Sequence, residues 1–221
     1  FISVTEQWAQ FSIAGPKSHE LINAVLDQPI TSETFPYMSC ASVGVLGELG
    51  RLFRISFSGE HAYEIAIPSR YGESLFRLLV SRAEEMGGGP YGMEALNVLR
   101  LEKGFITHAE IHGRVTAFDL GMQRMVSEKK DCIGKTSAAR PGLLDSEREQ
   151  LIALKPVGPI KQIVAGAHLF DLNDEPLRQN DKGYVTSVGF SPTFGHFIGL
   201  GFLKNGQVRL GDRIKMVDHL R

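Results

Sequence analysis

Ser58-Gly-Glu-His-Ala-Tyr-Glu-Ile65 is the stretch that decides the fold of the first half of the chain. Residues 53–57 before it and residues 63–67 at its end alternate between apolar and polar side chains. Alternation with a period of two indicates half-buried strands, and the turn at Ser58–His61 joins them into a predicted hairpin. Glu64 lies in the outgoing strand, on the face opposite its apolar neighbours.

Helices are predicted on both sides of this hairpin. Apolar residues recur at helical spacing after Gly15-Pro16, in residues 75–86 and in residues 92–103. Gly87-Gly-Gly-Pro90 stops the second of these helices, and Gly104 stops the third. Strands followed by helices, with hairpin connections, predict an α+β layered domain.

The chain begins inside a segment that has the pattern of a strand. Residues 9–13 alternate like the hairpin strands, and Phe1–Val4 also reads as a strand, although no methionine precedes it. We therefore expect the chain to be a piece of a longer polypeptide, and its first domain to be N-terminally incomplete.

The second half of the chain changes character after Ser137-Ala-Ala-Arg-Pro-Gly142 and the charged run Asp145–Glu149. Short apolar runs follow, separated by Pro, Gly, Asn and Asp turns: Leu151–Leu154, Ile163–Val164, His168–Leu172, Tyr184–Phe190, Phe197–Leu203 and Arg213–Val217. Strands at this spacing are typical of a small antiparallel barrel or sandwich. The sequence thus predicts two domains, residues 1–142 and residues 143–221.

Composition excludes several classes of protein. The 221 residues are 43% hydrophobic and carry a net charge of −1, so no strongly basic surface for nucleic acid is expected. No apolar run approaches the roughly 20 residues of a membrane span. Cys40 and Cys132 are far apart and fit neither a disulfide framework nor a metal site. We expect a cytoplasmic protein without a metal, a membrane or a nucleic-acid partner.

Glu64 is the residue with the clearest chemical potential. Apolar neighbours on both sides favour its burial, and a buried carboxylate must be paired, hydrogen-bonded or protonated. A carboxylate can accept two parallel hydrogen bonds from a ring edge rich in N–H donors. The alternative is a strand-edge glutamate that faces water or an arginine such as Arg54. For Phe57, in the incoming strand, the alternative to a ligand contact is ordinary core packing.

Three segments together resemble the aminomethyltransferase family, whose founder is the T-protein of the glycine cleavage system: Ser58–Ile65, Gly92–Gly104 and Gly183–Gly195. In T-proteins the hairpin motif reads Tyr-Thr-Gly-Glu-x-Gly-(apolar)-Glu, and its second glutamate holds the pterin of tetrahydrofolate. The resemblance implies a truncated T-protein-like α/β layered domain followed by a small antiparallel β-barrel. It also implies tetrahydrofolate as the cofactor and Glu64 as the residue that anchors its pterin.

The same resemblance assigns further residues and shows one departure. Phe57 occupies the place of the motif's first aromatic residue, and Phe105 matches another aromatic position, so both are expected to pack on the folate. Leu96 stands where T-proteins have an arginine that contacts folate. No catalytic residue is expected in this chain, because the family's acidic residue belongs to a stretch before Phe1.

Ser3–Lys17 and Gly92–Phe105 resemble the C-terminal part of the alpha subunits of heterotetrameric sarcosine oxidases. That likeness implies folate chemistry which turns the imine from sarcosine oxidation into glycine and 5,10-methylenetetrahydrofolate. It implies beta, gamma and delta subunits as partners, FMN, FAD and NAD elsewhere in the complex, and no activity of this chain alone. The alternatives are an aminomethyltransferase that works with a lipoyl carrier and a non-catalytic folate-binding or assembly module.

Overall fold

The computed structural model describes residues 1–160 and 162–220. The chain divides into two compact units, Phe1–Lys103 and Gly104–Arg221. The boundary between the units therefore lies at the end of the predicted third helix, and the domain division after residue 142 stays a prediction. Within the described ranges, no helix is both long and apolar enough to cross a membrane.

The first unit contains a four-stranded antiparallel sheet with the strand order β1-β4-β3-β2. Its strands are β1 (Trp8–Ala14), β2 (Cys40–Val45), β3 (Glu48–Phe53) and β4 (Ala62–Pro68). Three helices belong to the same unit: α1 (Ser18–Asn23), α2 (Gly72–Glu85) and α3 (Met93–Lys103). Since β1 stands at one edge of this sheet, its outer backbone groups are not used by the ladder with β4.

The core of the first unit lies on one face of the sheet. Tyr63, Ile65 and Ile67 of β4 point into a cluster that includes Ile22 of α1 and Leu75 of α2, and each of these side chains is at most 2% exposed. Burying one such aliphatic side chain stabilises the fold by about 1.5–3 kcal/mol. The alternation read from the sequence is therefore the alternation between this core and the opposite face of the sheet.

The hairpin is confirmed, but its connection is longer than predicted. Phe53 pairs with Glu64, and the ladder of β3 and β4 ends there. Beyond it, the Arg54 N–H donates to the Ser39 carbonyl oxygen at 2.8 Å, and the Met38 N–H donates to the Arg54 carbonyl oxygen at 2.9 Å. Residues 54–61 are therefore a loop, and the predicted strand position of Phe57 was wrong.

Two other predictions of local structure were also wrong. Phe1–Val4 is not in a strand, because β1 begins only at Trp8 after a single 3-10 turn at Thr5–Gln7. The pair Ile163–Val164 is not in a strand either. Ile163 is nevertheless 6% exposed and belongs to the core of the second unit, so the apolar signal reported burial rather than extended structure.

The second unit contains a five-stranded antiparallel sheet with the order β5-β8-β7-β6-β9. Its strands are β5 (Glu149–Leu154), β6 (His168–Asp171), β7 (Gly183–Ser191), β8 (His196–Lys204) and β9 (Ile214–Val217), and a short helix α4 (Lys135–Ala138) precedes them. The two antiparallel sheets, together with helices that are not interleaved between parallel strands, confirm the predicted α+β class.

Candidate functional site

Glu64 is half-buried in the middle of the sheet of the first unit. Its side chain lies on the face opposite the core, between Ser12 of β1 and Phe53 of β3 in the ladder register. The Gln10 Nε2 amide donates a hydrogen bond to the Glu64 Oε2 oxygen. No cationic side chain of residues 1–160 and 162–220 lies within ion-pair distance of Glu64. Its carboxylate is thus held by a neutral amide.

Arg54, the alternative partner named from the sequence, is directed elsewhere. Its Nη1 donates to the Ala62 carbonyl oxygen at 2.8 Å, and its guanidinium lies 4.8 Å from the centre of the Tyr63 ring. Burial raises the pKa of the Tyr63 hydroxyl, and Arg54 opposes that shift. Arg54 therefore fixes the base of the loop on the core side of the sheet and leaves Glu64 without a neutralising charge.

The loop before β4 is held by its own hydroxyl and imidazole groups. The Ser56 Oγ accepts the Gly59 N–H at 3.0 Å, and the His61 Nδ1 lies 2.8 Å from the Ser18 Oγ. Because the Ser18 hydroxyl donates to the His61 carbonyl oxygen at 2.7 Å, the imidazole Nδ1–H is the donor in the second contact. Burial lowers the pKa of His61, and the charges of Arg54 and His19 lower it further.

A cavity of about 710 Å³ runs along the free edge of β1. Gln10 and Ser12 line it from β1, Tyr91 lines it from the segment before α3, and Met93 and Leu96 line it from α3 itself. The remainder of its wall is largely apolar and comes from α1, α2 and the glycines before α3, including Leu21, Phe76, Leu79, Val80, Ala83, Met86, Gly87, Gly88 and Gly89. Its volume is in the range of small-molecule sites.

The polar side chains that line this cavity are Gln10 and Ser12 of β1, Lys17 and Ser18 at the start of α1, and Tyr91 before α3. The Tyr91 hydroxyl is 3.4 Å from the Ser12 Oγ, and Ser12 stands directly opposite Glu64 in the register. Gln10 lines the cavity and binds the Glu64 carboxylate at the same time. The arrangement therefore places a hydrogen-bonded carboxylate behind a polar rim, next to a mostly apolar hollow. We call Gln10, Ser12 and Tyr91, which line the cavity, together with Glu64 behind them, the β1 rim.

The two aromatic residues predicted to contact folate have different positions. Phe57 lies in the loop of residues 54–61 and is 40% exposed, so it is not an ordinary core residue. Phe105 is half-buried and belongs to the second unit, just after Gly104, whose positive φ of 76° ends α3. The contact of either ring with a ligand stays a prediction, as does the role of Glu64.

A second carboxylate, Glu110, was not singled out from the sequence. It is 0% exposed in the second unit, and its Oε1 accepts hydrogen bonds from the Thr186 hydroxyl at 2.6 Å and the Ser187 hydroxyl at 2.5 Å. Successive side chains of a strand normally point to opposite faces, but an irregularity in the β7–β8 register lies between Val185 and Ser187. This bulge brings two neighbouring hydroxyls to one oxygen.

Two further polar groups of the second unit, Ser191 and Asp119, have hydrogen-bond partners within that unit. The Ser191 Oγ accepts the Phe194 N–H at 3.0 Å, which is the hydroxyl-to-backbone bond expected in this Ser-Pro-Thr turn. Asp119, at 2% exposure, receives two hydrogen bonds from the Arg148 guanidinium at 2.7 and 2.9 Å. In the part of the chain that the structure describes, no three His, Cys, Asp or Glu side chains gather as a metal site requires.

Comparison with known proteins places this geometry in a family. The model of the GCVT N-terminal domain matches residues 1–130, and the model of the glycine cleavage T-protein C-terminal barrel domain matches residues 150–218. The crystal structure of glycine cleavage system aminomethyltransferase T from Bartonella henselae superposes with a TM-score of 0.77. The superposition covers 97% of this chain and 56% of the Bartonella henselae chain, and the two sequences are 23% identical. This likeness shows a shared fold.

Curated relatives fall into two groups. Sarcosine oxidase subunit alpha of Rhizobium meliloti (strain 1021) is 42% identical over 96% of this chain, which is 22% of the relative. Aminomethyltransferase of Thermoanaerobacter sp. (strain X514) is 28% identical over 97% of this chain, which is 56% of the relative. The chain thus spans about a fifth of the first relative and about half of the second. It belongs to the GCVT family of the glycine cleavage T-protein, and is similar to the GCVT-like C-terminal part of sarcosine oxidase alpha subunits.

Proposed function

We propose that this chain is the tetrahydrofolate-binding part of an enzyme of the sarcosine oxidase alpha-subunit type. The observation that carries the proposal is the half-buried Glu64 carboxylate, which accepts a hydrogen bond from the cavity-lining Gln10, in a chain of the GCVT family. Identity to the sarcosine oxidase subunit, 42%, exceeds identity to the aminomethyltransferase, 28%, over nearly the same residues. This difference in identity favours a protein of the sarcosine oxidase type over one of the aminomethyltransferase type.

The hydrogen-bonding groups of the β1 rim fit a reduced pterin. Glu64 supplies acceptor oxygens only, and the pyrimidine edge of a pterin presents an amide N–H beside an amino group. Hydrogen bonds to an ionised carboxylate stabilise by roughly 1.5–3 kcal/mol each, so a side-by-side pair suffices to orient the ring. The largely apolar wall beside the rim, from Phe76 to Leu96, suits the faces of a flat ring.

The share of this chain in the reaction is binding, orientation and exclusion of water. When bound, tetrahydrofolate supplies the nitrogen that accepts the one-carbon unit, and the products are glycine and 5,10-methylenetetrahydrofolate. Glu64 holds the pterin at its pyrimidine edge, and Phe57 and Phe105 pack on the ligand. Holding two reactants in a productive geometry converts a bimolecular step into an effectively unimolecular one. We assign no catalytic residue to this chain and expect no activity from it alone.

The proposal extends to the setting of the module. An alpha subunit of this type works with beta, gamma and delta subunits in the cytoplasm, and FMN, FAD and NAD belong to other parts of that complex. The second candidate function is aminomethyl transfer from a lipoyl carrier, which the aminomethyltransferase relatives favour. Leu96 counts against it, because this apolar side chain lines the cavity where T-proteins have a folate-contacting arginine. Transfer from an aminomethyl-lipoyl donor, measured directly, separates the two.

The test is tetrahydrofolate affinity, measured by calorimetry under anaerobic conditions on the longest polypeptide that carries this sequence. Glu64→Gln keeps the shape of the side chain but puts an N–H donor against the N–H donors of the ring. We expect the Kd for tetrahydrofolate to rise about ten-fold or more, where each ten-fold rise corresponds to about 1.4 kcal/mol of binding free energy. Glu60→Gln is the matched control, because Glu60 belongs to the same motif but is exposed in the loop. Equal affinity of the two variants at unchanged stability would contradict the proposal.

A further inference from the structure

Gln10 is the residue that connects Glu64 with the cavity. It lies in β1 and Glu64 lies in β4, and the register Ser12↔Glu64 and Gln10↔Ala66 makes the two side chains diagonal neighbours on the same face. The cavity is lined by Gln10 and not by Glu64 among the described residues. A ligand in the cavity therefore meets the Gln10 amide at the wall before it reaches the carboxylate.

Chemistry fixes the orientation of this amide. The Glu64 carboxylate has no proton to donate when ionised, so the Gln10 NH₂ group faces it and the Gln10 carbonyl oxygen points away. One carboxylate oxygen, Oε2, then carries the Gln10 hydrogen bond, while Oε1 keeps its acceptor capacity. The pair thus offers the carboxylate oxygens and the amide oxygen as acceptors, while the second N–H of the Gln10 amide, which this bond does not use, remains a donor.

We infer that Gln10 is a positioning residue for Glu64, and that the Gln10–Glu64 pair selects a flat heterocycle whose edge carries adjacent N–H donors. The inference rests on the proposed function and adds to it a second residue and a rule of selectivity. A ring that offers acceptors at the Glu64 carboxylate meets oxygen against oxygen, which costs affinity because the acceptors of the ring and of the carboxylate are left unpaired when the ligand binds. Holding the carboxylate in one rotamer before binding removes an ordering cost from the binding step.

A double-mutant cycle tests whether Gln10 acts through Glu64. Gln10→Met keeps the length of the side chain and removes the amide, and Gln10→Asn keeps the amide but shortens its reach. We expect each to weaken tetrahydrofolate binding about three- to ten-fold. Combined with Glu64→Gln, either variant is expected to add less than about two-fold, because its effect is carried by the carboxylate. Gln28→Met, at an exposed position of the same unit, is the matched control.

Selectivity supplies a readout that a merely structural role does not move. Wild-type protein is expected to prefer tetrahydrofolate strongly over an analogue that lacks the exocyclic amino group, and Gln10→Met is expected to lose part of this preference. Effects of Gln10→Met and Glu64→Gln that multiply fully, or a preference that Gln10→Met leaves unchanged, would overturn the inference but leave the folate site intact. Unchanged affinity in Glu64→Gln alone would overturn the proposed function and this inference together.

Discussion

Replacing Ser187 by alanine removes one donor from the buried carboxylate of Glu110. That carboxylate accepts hydrogen bonds from Ser187 at 2.5 Å, from Thr186 at 2.6 Å and from the Thr107 N–H at 2.8 Å. A hydrogen bond to a charged group contributes about 1.5–3 kcal/mol, and the side chain of Glu110, 0% exposed, has no water to replace a lost donor. We therefore expect Ser187→Ala to lower the free energy of unfolding by about 1.5–3 kcal/mol.

Thr186→Val tests the neighbouring donor without a change of volume. The Thr186 hydroxyl has one hydrogen and lies 2.6 Å from Glu110 and 3.1 Å from the Leu200 carbonyl oxygen. We expect a loss of about 1.5 kcal/mol, at the lower end of the range, because valine restores the packing of the methyl group. Thr136→Val is the matched control, since Thr136 is exposed in α4 and its replacement should change stability by no more than about 0.5 kcal/mol.

The assays are urea denaturation and thermal melting, both followed by far-ultraviolet circular dichroism and supported by amide hydrogen exchange in β7. For a chain of this size each kcal/mol shifts the melting temperature by about 2–4 °C, so Ser187→Ala should melt about 3–12 °C lower. If both β7 variants are as stable as Thr136→Val, the hydroxyl pair does not stabilise Glu110 and the reasoning fails.

Two other perturbations test separate parts of the second unit. The pKa of Asp119 lies below its ordinary 3.8, because the hydrogen bonds from Arg148 and Thr116 outweigh the opposing effect of burial. The stabilising contribution of Asp119 is thus present above pH 3.8 and is lost as the pH falls through the lowered pKa. Asp119→Asn should remove this acid-dependent part of the stability and lower the free energy of unfolding by about 3 kcal/mol. Urea denaturation at several pH values measures both effects. Gly183→Ala should cost about 3 kcal/mol or prevent folding, because the new Cβ would lie 1.9 Å from the Phe202 carbonyl oxygen, whereas Gly89→Ala, with no atom within 4 Å, should be neutral in thermal melts. A pH profile that Asp119→Asn does not flatten, or equal melting of the two alanine variants, would contradict these expectations.

Elements that alternate or repeat regularly were predictable from the sequence. β1 and β4 were predicted from period-two patterns, and the pair β7–β8 was predicted from short apolar runs between turn residues. α3 ends at Gly104, where a positive φ of 76° favours glycine. These signals are local, and local signals are what a single sequence carries.

Features set by distant contacts were not predictable. The loop of residues 54–61 replaces a predicted strand because Arg54 bonds to the segment around Met38, which its own neighbours do not reveal. Glu110 lies in an irregular stretch, and its hydroxyl partners are 76 and 77 residues away. The bulge that brings those hydroxyls together leaves the alternation around it almost unchanged.

In the candidate site, too, local features were predictable and features set by distant contacts were not. A motif identified Glu64 as a carboxylate of interest, and the alternation placed it on the face opposite Tyr63 and Ile65, as observed. Gln10 escaped notice because it belongs to another strand, and only the pairing of β1 with β4 brings it next to Glu64. The cavity escaped notice as well, because it is formed by an edge strand and three helices that are separate in the sequence.

A structure of the longest polypeptide carrying this sequence, determined with tetrahydrofolate bound, tests the central claim most directly. We predict that the Glu64 carboxylate accepts hydrogen bonds from the amide N–H and the amino group of the pterin, with the ring beside Gln10 and the cavity along β1. A pterin bound elsewhere, with Glu64 contacting only Gln10 and solvent, would contradict the account.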